Sequence, residues 1–297
     1  MKNKLGIAGL LAVTIIWGGG FVASDIALVG LTPFQIMAIR FLIATIVMAA
    51  LAGKEIKTIR KEEWKCGAIL GFFLFGGFAL QIIGLQYTTP SKNAFLTATN
   101  VVFVPFIAMV LYKRKVKAQS LVGAAMAIIG AGVLSLQADF SMGIGDALTL
   151  VCAVCFAFQI FLTGEFVGRI RPMVLNFIQM AMAFVCSLVG YLFSGELAFH
   201  ADKNSIWAVL YLGLISTCLT YFLQTLSQRY VEETKAAIIL SMEAVFGTVF
   251  SVILLHEQVT AKMLIGSALI LGAVLVSELP VFAGKEAKNV QKLGENQ

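Results

Sequence analysis

The sequence predicts an all-α integral membrane protein with ten transmembrane helices arranged as two inverted five-helix repeats. Three observations carry that prediction: an apolar composition, a series of long apolar stretches, and an internal similarity between the two halves of the chain. Of the 297 residues, 59% are hydrophobic and only 13% are charged, and the mean hydropathy is +0.92. Soluble domains are nearer half apolar and a quarter charged, so this composition indicates a chain that lies largely within a bilayer.

Ten apolar stretches are each long enough to cross a hydrocarbon layer as a helix. The segments between them are short, carry turn residues and charges, and leave no room for a soluble domain. The first stretch also resembles a cleaved signal peptide, but it is longer than a usual signal core and its loss would leave an unpaired repeat. We therefore interpret it as the first helix. The predicted spans are 5–24, 33–52, 66–86, 93–112, 118–137, 145–165, 173–193, 206–226, 235–255 and 262–281.

The second half of the chain repeats the first at an offset of 143 residues without a gap. Polar residues coincide as well as apolar ones: Tyr230 aligns with Tyr87, and Lys235 aligns with Lys92. We interpret this as an internal duplication. Each copy holds five spans, an odd number, so the second copy enters the membrane from the opposite face and the repeats are inverted. The predicted domains are a first repeat at 5–137, a second repeat at 145–281 and a polar cytoplasmic tail at 282–297.

The distribution of Lys and Arg predicts the orientation. If the N-terminus, the even-numbered turns and the C-terminal tail share one side, that side carries 18 of the 22 basic residues. The other side carries Lys92, Lys203 and Lys262, while Arg40 lies within a span. By the positive-inside rule we expect a multi-pass protein of a bacterial-type cytoplasmic (inner) membrane with both termini cytoplasmic. This placement accounts for the net charge of +6 without a nucleic-acid partner.

Glu243 is the strongest candidate for a functional residue, because it lies close to the middle of the ninth span. A charge at that depth is costly. It indicates either a site for a substrate ammonium or a proton, or a structural carboxyl that is hydrogen-bonded to a neighbouring helix. In the alignment of the two copies Glu243 falls on Asn100, so the copies place different polar groups at one equivalent position.

Glycines 18–20 interrupt the first span and permit either close helix packing or a local unwinding at a binding site. Gln81 and Gln224 align between the copies and, like Gln159, would line a polar path or join helices by hydrogen bonds. Arg40 lies near the outer end of its span and would either snorkel or pair with Asp25.

Aromatic residues near mid-membrane depth would supply apolar walls for a ring or an aliphatic chain. The complete set of predicted substrate-binding residues is Trp17, Phe21, Gln81, Asn100, Phe158, Gln159, Tyr221, Gln224 and Glu243.

No catalytic pattern is visible in the sequence. The chain contains no G-x-x-x-x-G-K-[ST] phosphate loop, and its two histidines lie far apart in sequence without a metal-ligand spacing. Cys152 and Cys155 have the spacing of a redox or metal pair, but they fall inside a predicted membrane helix, where packing is the favoured role. We therefore expect no enzyme activity, no cofactor and no metal site.

Several motifs, taken in order, resemble the EamA-type branch of the drug/metabolite transporter superfamily. The motifs are Trp17-Gly18, Pro33 followed by Arg40-Phe41, the turn from Tyr87 to Lys92 with Pro105, and Leu254-Leu255-His256-Glu257 followed by Gly266. The resemblance covers about residues 7–280 and implies a ten-helix inner-membrane carrier with a central cavity, often exporting amino acids or other small metabolites. In one departure from the family, the acid present here as Glu257 is replaced by Arg114 in the first copy.

The resemblance and the residues together predict a secondary transporter, and an exporter, of small metabolites such as amino acids that works by alternating access. Its expected partners are the lipid bilayer, a small-molecule substrate and, if transport is coupled, a proton. One alternative is a passive facilitator or channel, which would not saturate or show counterflow. Another is a membrane enzyme acting on lipid-linked groups, which would require convergent His, Asp or Glu residues at one interface.

Overall fold

The computed structural model describes residues 2–113, 118–135, 142–195 and 198–278, and these ranges are helical apart from their connections. The predicted tail at 282–297 and Arg114 lie outside the described residues. The chain also contains a 3₁₀ turn, Gly53–Thr58, and a π-helical turn, Leu214–Leu219. The helices are α1 (Lys2–Leu28), α2 (Pro33–Ala52), α3 (Lys61–Leu85), α4 (Pro90–Ala98), α5 (Asn100–Tyr112), α6 (Ala118–Ser135), α7 (Ile144–Phe166), α8 (Pro172–Ser194), α9 (Lys203–Gly213), α10 (Thr220–Gln228), α11 (Glu233–Ser241), α12 (Glu243–Leu254) and α13 (Ala261–Glu278).

Eight helical stretches in the described ranges are long and apolar enough to cross a membrane. Two further apolar helices are shorter, Leu121–Leu134 within α6 and Ala261–Val276 within α13. Large apolar side chains on several helices, such as Ile46, Phe72 and Ile128, are exposed on the outside of the bundle. Helices that are apolar all round belong in lipid. The chain is therefore a multi-pass membrane protein, and the number of ten crossings stays a prediction.

The fourth and ninth predicted spans are each interrupted by one residue, where the sequence predicted continuous helices. Thr99 separates α4 from α5, and Met242 separates α11 from α12. At the first break the Thr99 N–H donates to the Leu96 carbonyl at 3.2 Å, and the Val102 N–H donates to the Thr99 carbonyl at 3.0 Å. The same two bonds recur 143 residues later, at 3.2 and 3.1 Å. The overall hydropathy of each span stays high despite the polar residues at its break, so apolar length could not reveal the breaks.

Helix boundaries in the two halves coincide under the same offset. α4 begins at Pro90 and α11 begins at Glu233. α6 covers 118–135 and α13 covers 261–278. In this part of the chain, the aligned sequences of the two halves thus adopt the same local structure.

α1 runs without a break through glycines 18–20, so these glycines serve close packing and not a local unwinding. A Cβ added at Gly18 would lie 2.5 Å from the Phe246 Cβ, and one added at Gly20 would lie 2.7 Å from the Ser216 Oγ. The backbone of α1 therefore packs directly against α12 and against the π-helical turn. Small residues at a helix crossing permit such an approach.

The connections between helices gather at two ends of the bundle, which we call end A and end B. At end A, the start of α3 meets the start of α8, where Glu63 and Arg171 form a bidentate ion pair with two N–O distances of 2.8 Å. The start of α1 reaches the same end, since a Cβ added at Gly6 would lie 2.9 Å from Val231 in the turn after α10.

End B holds the turn before α4, the start of α7 and the segment after α12. The Lys92 Nζ lies 3.0 Å from the Asp146 Oδ2, and the Ser91 Oγ donates to the Glu257 Oε2 at 2.7 Å. Both contacts join residues from the first half of the chain to residues from the second half. Each end is thus tied by polar contacts between the halves.

Candidate functional site

A pocket with a cavity volume of about 40 Å³ lies inside the bundle, lined by residues at the two breaks and by residues near end B. Leu85 and Asn93, which flank the end-B connection between α3 and α4, line its outer part, and Glu243 lines its inner part. A cavity of this volume has room for a few water molecules, so a metabolite would bind only after the lining helices move apart.

Most of the predicted substrate-binding residues lie together in this pocket. Gln224 is outside the lining but is one hydrogen bond away, because its Nε2 donates to the Gln159 Oε1 at 3.3 Å. Phe158 also lies outside the lining and stacks on Phe73, with 4.6 Å between the ring centroids. The predicted residues that line the pocket are Trp17, Phe21, Gln81, Asn100, Gln159, Tyr221 and Glu243.

Asn100 and Glu243, the residues that align between the two copies, each begin the helix that follows a break, and both line the pocket. Asn100 is 2% exposed and Glu243 is 5% exposed. The Asn100 Oδ1 and the Glu243 carboxylate have no hydrogen-bond partner among the described residues. Glu243 therefore lacks the bond to a neighbouring helix that a purely structural carboxyl would be expected to make.

One wall of the pocket is held in place by the π-helical turn, Leu214–Leu219. The Trp17 Nε1 donates to the Ser216 carbonyl at 3.1 Å and to the Thr220 Oγ1 at 2.9 Å, and its ring lies 5.2 Å from that of Tyr221. A π-helical turn changes the carbonyl pattern of a helix and is frequent at functional sites. The corresponding part of α3 is regular α-helix, so this wall differs between the two halves.

Arg40 also lines the pocket, a position that sequence analysis did not assign to it. Its side chain is 1% exposed, so it does not snorkel to the outer face. Its Nε donates to the Thr217 Oγ1 at 2.9 Å, and its guanidinium carbon lies 4.0 Å from the centre of the Phe78 ring. No ion pair joins it to Asp25 or to another carboxylate in the described ranges. Both earlier expectations for Arg40 are therefore corrected.

A chain of buried amides leads from the pocket toward end A. The Gln159 Nε2 donates to the Gln179 Oε1 at 3.4 Å, and the Gln179 Nε2 donates to the Asn176 Oδ1 at 2.6 Å. The Thr225 Oγ1 donates to the same Asn176 oxygen at 3.2 Å. These bonds join α7, α8 and α10, which is the interhelical role that polar side chains often have in membrane bundles.

In comparisons with known proteins, the chain is similar to membrane transporters. A family model described as the EamA-like transporter family matches the chain twice, at residues 4–136 and 143–279. The chain is 32% identical over 281 residues to an uncharacterized transporter of Archaeoglobus fulgidus, covering 95% of this chain and 88% of that protein.

Other relatives extend this similarity. The uncharacterized transporter YoaV of Bacillus subtilis is 24% identical, over 88% of this chain and 92% of YoaV. The uncharacterized inner membrane transporter YhbE of Escherichia coli is 33% identical over 138 residues, which is 44% of this chain and 43% of YhbE. A protein crystal structure superimposes with a TM-score of 0.70 at 18% identity, covering 92% of this chain and 96% of the other, and this similarity concerns the fold alone.

Proposed function

Because the chain belongs to the EamA-like transporter family, we propose that it is a secondary transporter that exports a small metabolite, such as an amino acid, by alternating access. The central pocket would hold the substrate. Its aromatic wall, with Trp17 and Tyr221, suits an apolar chain or ring, and its buried carboxylate suits a cationic group or a proton.

The observation that carries this proposal is the placement of Asn100 and Glu243. They occupy equivalent positions in the two copies, each follows a helix break, and both line one pocket. Secondary transporters built from inverted repeats bind their substrates near the midplane, where helices of the two halves are interrupted. Helix breaks, polar residues and a pocket that occur together at this position are typical of such transporters.

The proposed topology is ten crossings in two inverted repeats, at 5–137 and 145–281. It is supported by the position of repeat-related turns: the turn after α3 is at end B, whereas the turn after α10 is at end A. End A would be cytoplasmic, because the connections there carry most of the Lys and Arg residues, and both termini would lie on that side.

The pocket lining reaches toward end B through Leu85 and Asn93, while the Glu63–Arg171 ion pair joins the halves at end A. End B is also tied by the polar contacts between the halves described above. We assign this arrangement to a stage of the transport cycle in which both ends are closed. Opening either end would require the two halves to separate at the contacts of that end.

The test is transport by purified protein in liposomes, measured with a mixture of radiolabelled amino acids and with unlabelled amino acids on the opposite side. The wild type should saturate and show counterflow. Glu243→Gln should lower the rate at least about tenfold while the protein still elutes as a folded species, because the intramembrane carboxylate is lost.

Glu232→Gln is the matched control, since Glu232 is an exposed carboxylate at end A that makes no side-chain cap bond. It should transport at the wild-type rate. Unchanged flux in Glu243→Gln at all pH values would contradict the role of Glu243. Flux that neither saturates nor shows counterflow would contradict a carrier and support a passive channel.

A further inference from the structure

Arg40 carries a buried positive charge for which the described residues provide no anion. Its one hydrogen bond in those ranges runs from Nε to the Thr217 Oγ1. The two terminal nitrogens, Nη1 and Nη2, therefore present four N–H donors without an acceptor among the described residues. The ring of Phe78, 4.0 Å from the guanidinium carbon, offsets part of the charge through a cation–π contact.

Glu243 does not neutralise Arg40. Both residues line the pocket, but no ion pair within 4.0 Å joins them in the described part of the chain. The pocket lining thus contains two buried ionisable groups, a guanidinium on α2 and a carboxyl on α12, and neither has an ion-pair partner among the described residues. A guanidinium whose two outer nitrogens are free matches a planar oxyanion, because two parallel N–H···O bonds can form at once.

We propose that Arg40 is the anion-binding residue of the pocket and takes a carboxylate of the transported molecule through Nη1 and Nη2. Thr217 fixes the guanidinium from the Nε side, and Phe78 fixes its plane. This inference rests on the proposed transport function and deepens it, since it requires a substrate with an anionic group held apart from Glu243.

The experiment uses the full chain purified in detergent and measures the shift of its melting temperature with three probes that share one branched carbon skeleton. The probe 4-methylpentanoate carries a carboxylate alone, L-leucine carries a carboxylate and an ammonium, and L-leucinamide carries an ammonium alone. In the wild type, the two carboxylates should raise the melting temperature and L-leucinamide should not.

Arg40→Gln should weaken the binding of 4-methylpentanoate at least about tenfold, because a charge-assisted bidentate contact is lost. Arg40→Lys should weaken it less, since the charge remains but the planar fork does not. Arg229→Gln, which removes an exposed arginine outside the pocket, is the matched control and should behave as the wild type.

The melting temperature without probe separates ligand binding from a purely structural role. A buried charge without an anion destabilises a protein, so Arg40→Gln should melt at the wild-type temperature or above it. A structural arginine would instead lower that temperature and leave probe selectivity unchanged, which would overturn the proposal.

Three further outcomes would overturn the proposal. The wild type and Arg40→Gln could bind 4-methylpentanoate equally well, the wild type could bind L-leucinamide as well as 4-methylpentanoate, or it could bind none of the probes. If Arg40→Gln does not fold, the test rests on Arg40→Lys. An Arg40→Lys variant that binds 4-methylpentanoate with the wild-type affinity would contradict the proposal. The binding assay does not depend on transport, so the two proposals can fail separately. If the wild type shows no flux in liposomes but the probes still differ in binding as expected, the transport function is contradicted and the anion site is not.

Discussion

Gly18 sets the distance between two walls of the pocket. A Cβ at this position would lie 2.5 Å from the Phe246 Cβ and 2.8 Å from the backbone nitrogen of Gly247. Trp17 and Glu243 project from the same two helices, α1 and α12. The close contact of the helix backbones at Gly18 therefore fixes how far apart these side chains lie.

Gly18→Ala should lower the free energy of unfolding by about 1–3 kcal/mol, because the backbone of α12 has to move to admit the methyl group. Gly76→Ala in α3 is the matched control. A Cβ added there meets only the Cys155 Sγ, at 3.4 Å, and alanine favours the helix by about 1 kcal/mol, so this variant should be as stable as the wild type or slightly more stable. Unfolding in detergent with rising denaturant measures both. Equal stability of the two variants would contradict the close packing of α1 on α12.

The sequence could identify pocket residues by depth but not by direction. Polar and aromatic residues near mid-membrane depth are visible in an apolar chain, and Gln159 was found in this way. Its neighbour Phe158 points to Phe73, because successive residues of a helix point about 100° apart and no pattern in the sequence shows which of the two faces inward. Arg40 was missed because the depth of about 10 Å from its helix start suggested the outer surface, whereas the pocket extends to that depth.

Among the helices, the two breaks have the same backbone hydrogen bonds although only one copy contains a proline nearby. Pro105 lies in α5, and the aligned residue in α12 is Thr248. The break at Met242 thus forms without a proline, and the break at Thr99 has the same geometry. We infer that packing around the pocket, and not the missing N–H of Pro105, sets both breaks.

Pro105→Ala should therefore raise the free energy of unfolding by about 1–3 kcal/mol and keep the transport rate, since a proline inside a helix costs about 3 kcal/mol. Pro90→Ala is the control from the same span. Pro90 is the first residue of α4, where its fixed φ is favourable, so its loss should lower stability by about 1 kcal/mol. The comparison needs denaturant unfolding and liposome flux. A Pro105→Ala variant that is more stable but inactive would show that the proline itself makes the break.

The sequence could predict where helices occur, but it could not predict where they are interrupted. Apolar length gave a span at 93–112, and the structure has helix from Pro90 to Tyr112 with one residue, Thr99, out of register. The π-helical turn at Leu214–Leu219 lies in the middle of the span predicted at 206–226. Each irregularity shifts one turn within a span whose overall hydropathy is high, and the prediction depended on that overall hydropathy.

At the scale of the whole molecule, the duplication was visible in the sequence but the packing of the halves was not. An offset of 143 residues aligns Tyr87 with Tyr230 and predicts equivalent turns. The side-by-side contacts between halves, such as α2 with α8 and α6 with α13, depend on which face each helix presents. Helices that are apolar on nearly all faces carry little of that information in their pattern.

The proposed inverted arrangement makes a prediction for Tyr87 and Tyr230. These residues are aligned, lie in the turns after α3 and α10, and are 63% and 46% exposed. In a variant without native cysteines that still transports, a membrane-impermeant maleimide applied to intact cells should label Tyr87→Cys. It should label Tyr230→Cys only after the membrane is opened, because repeat-related turns of inverted copies lie on opposite sides. A permeant maleimide, as the control, should label both. Labelling of both from the same side would contradict inverted repeats, and labelling of Tyr230→Cys alone from outside would keep the repeats but contradict cytoplasmic termini.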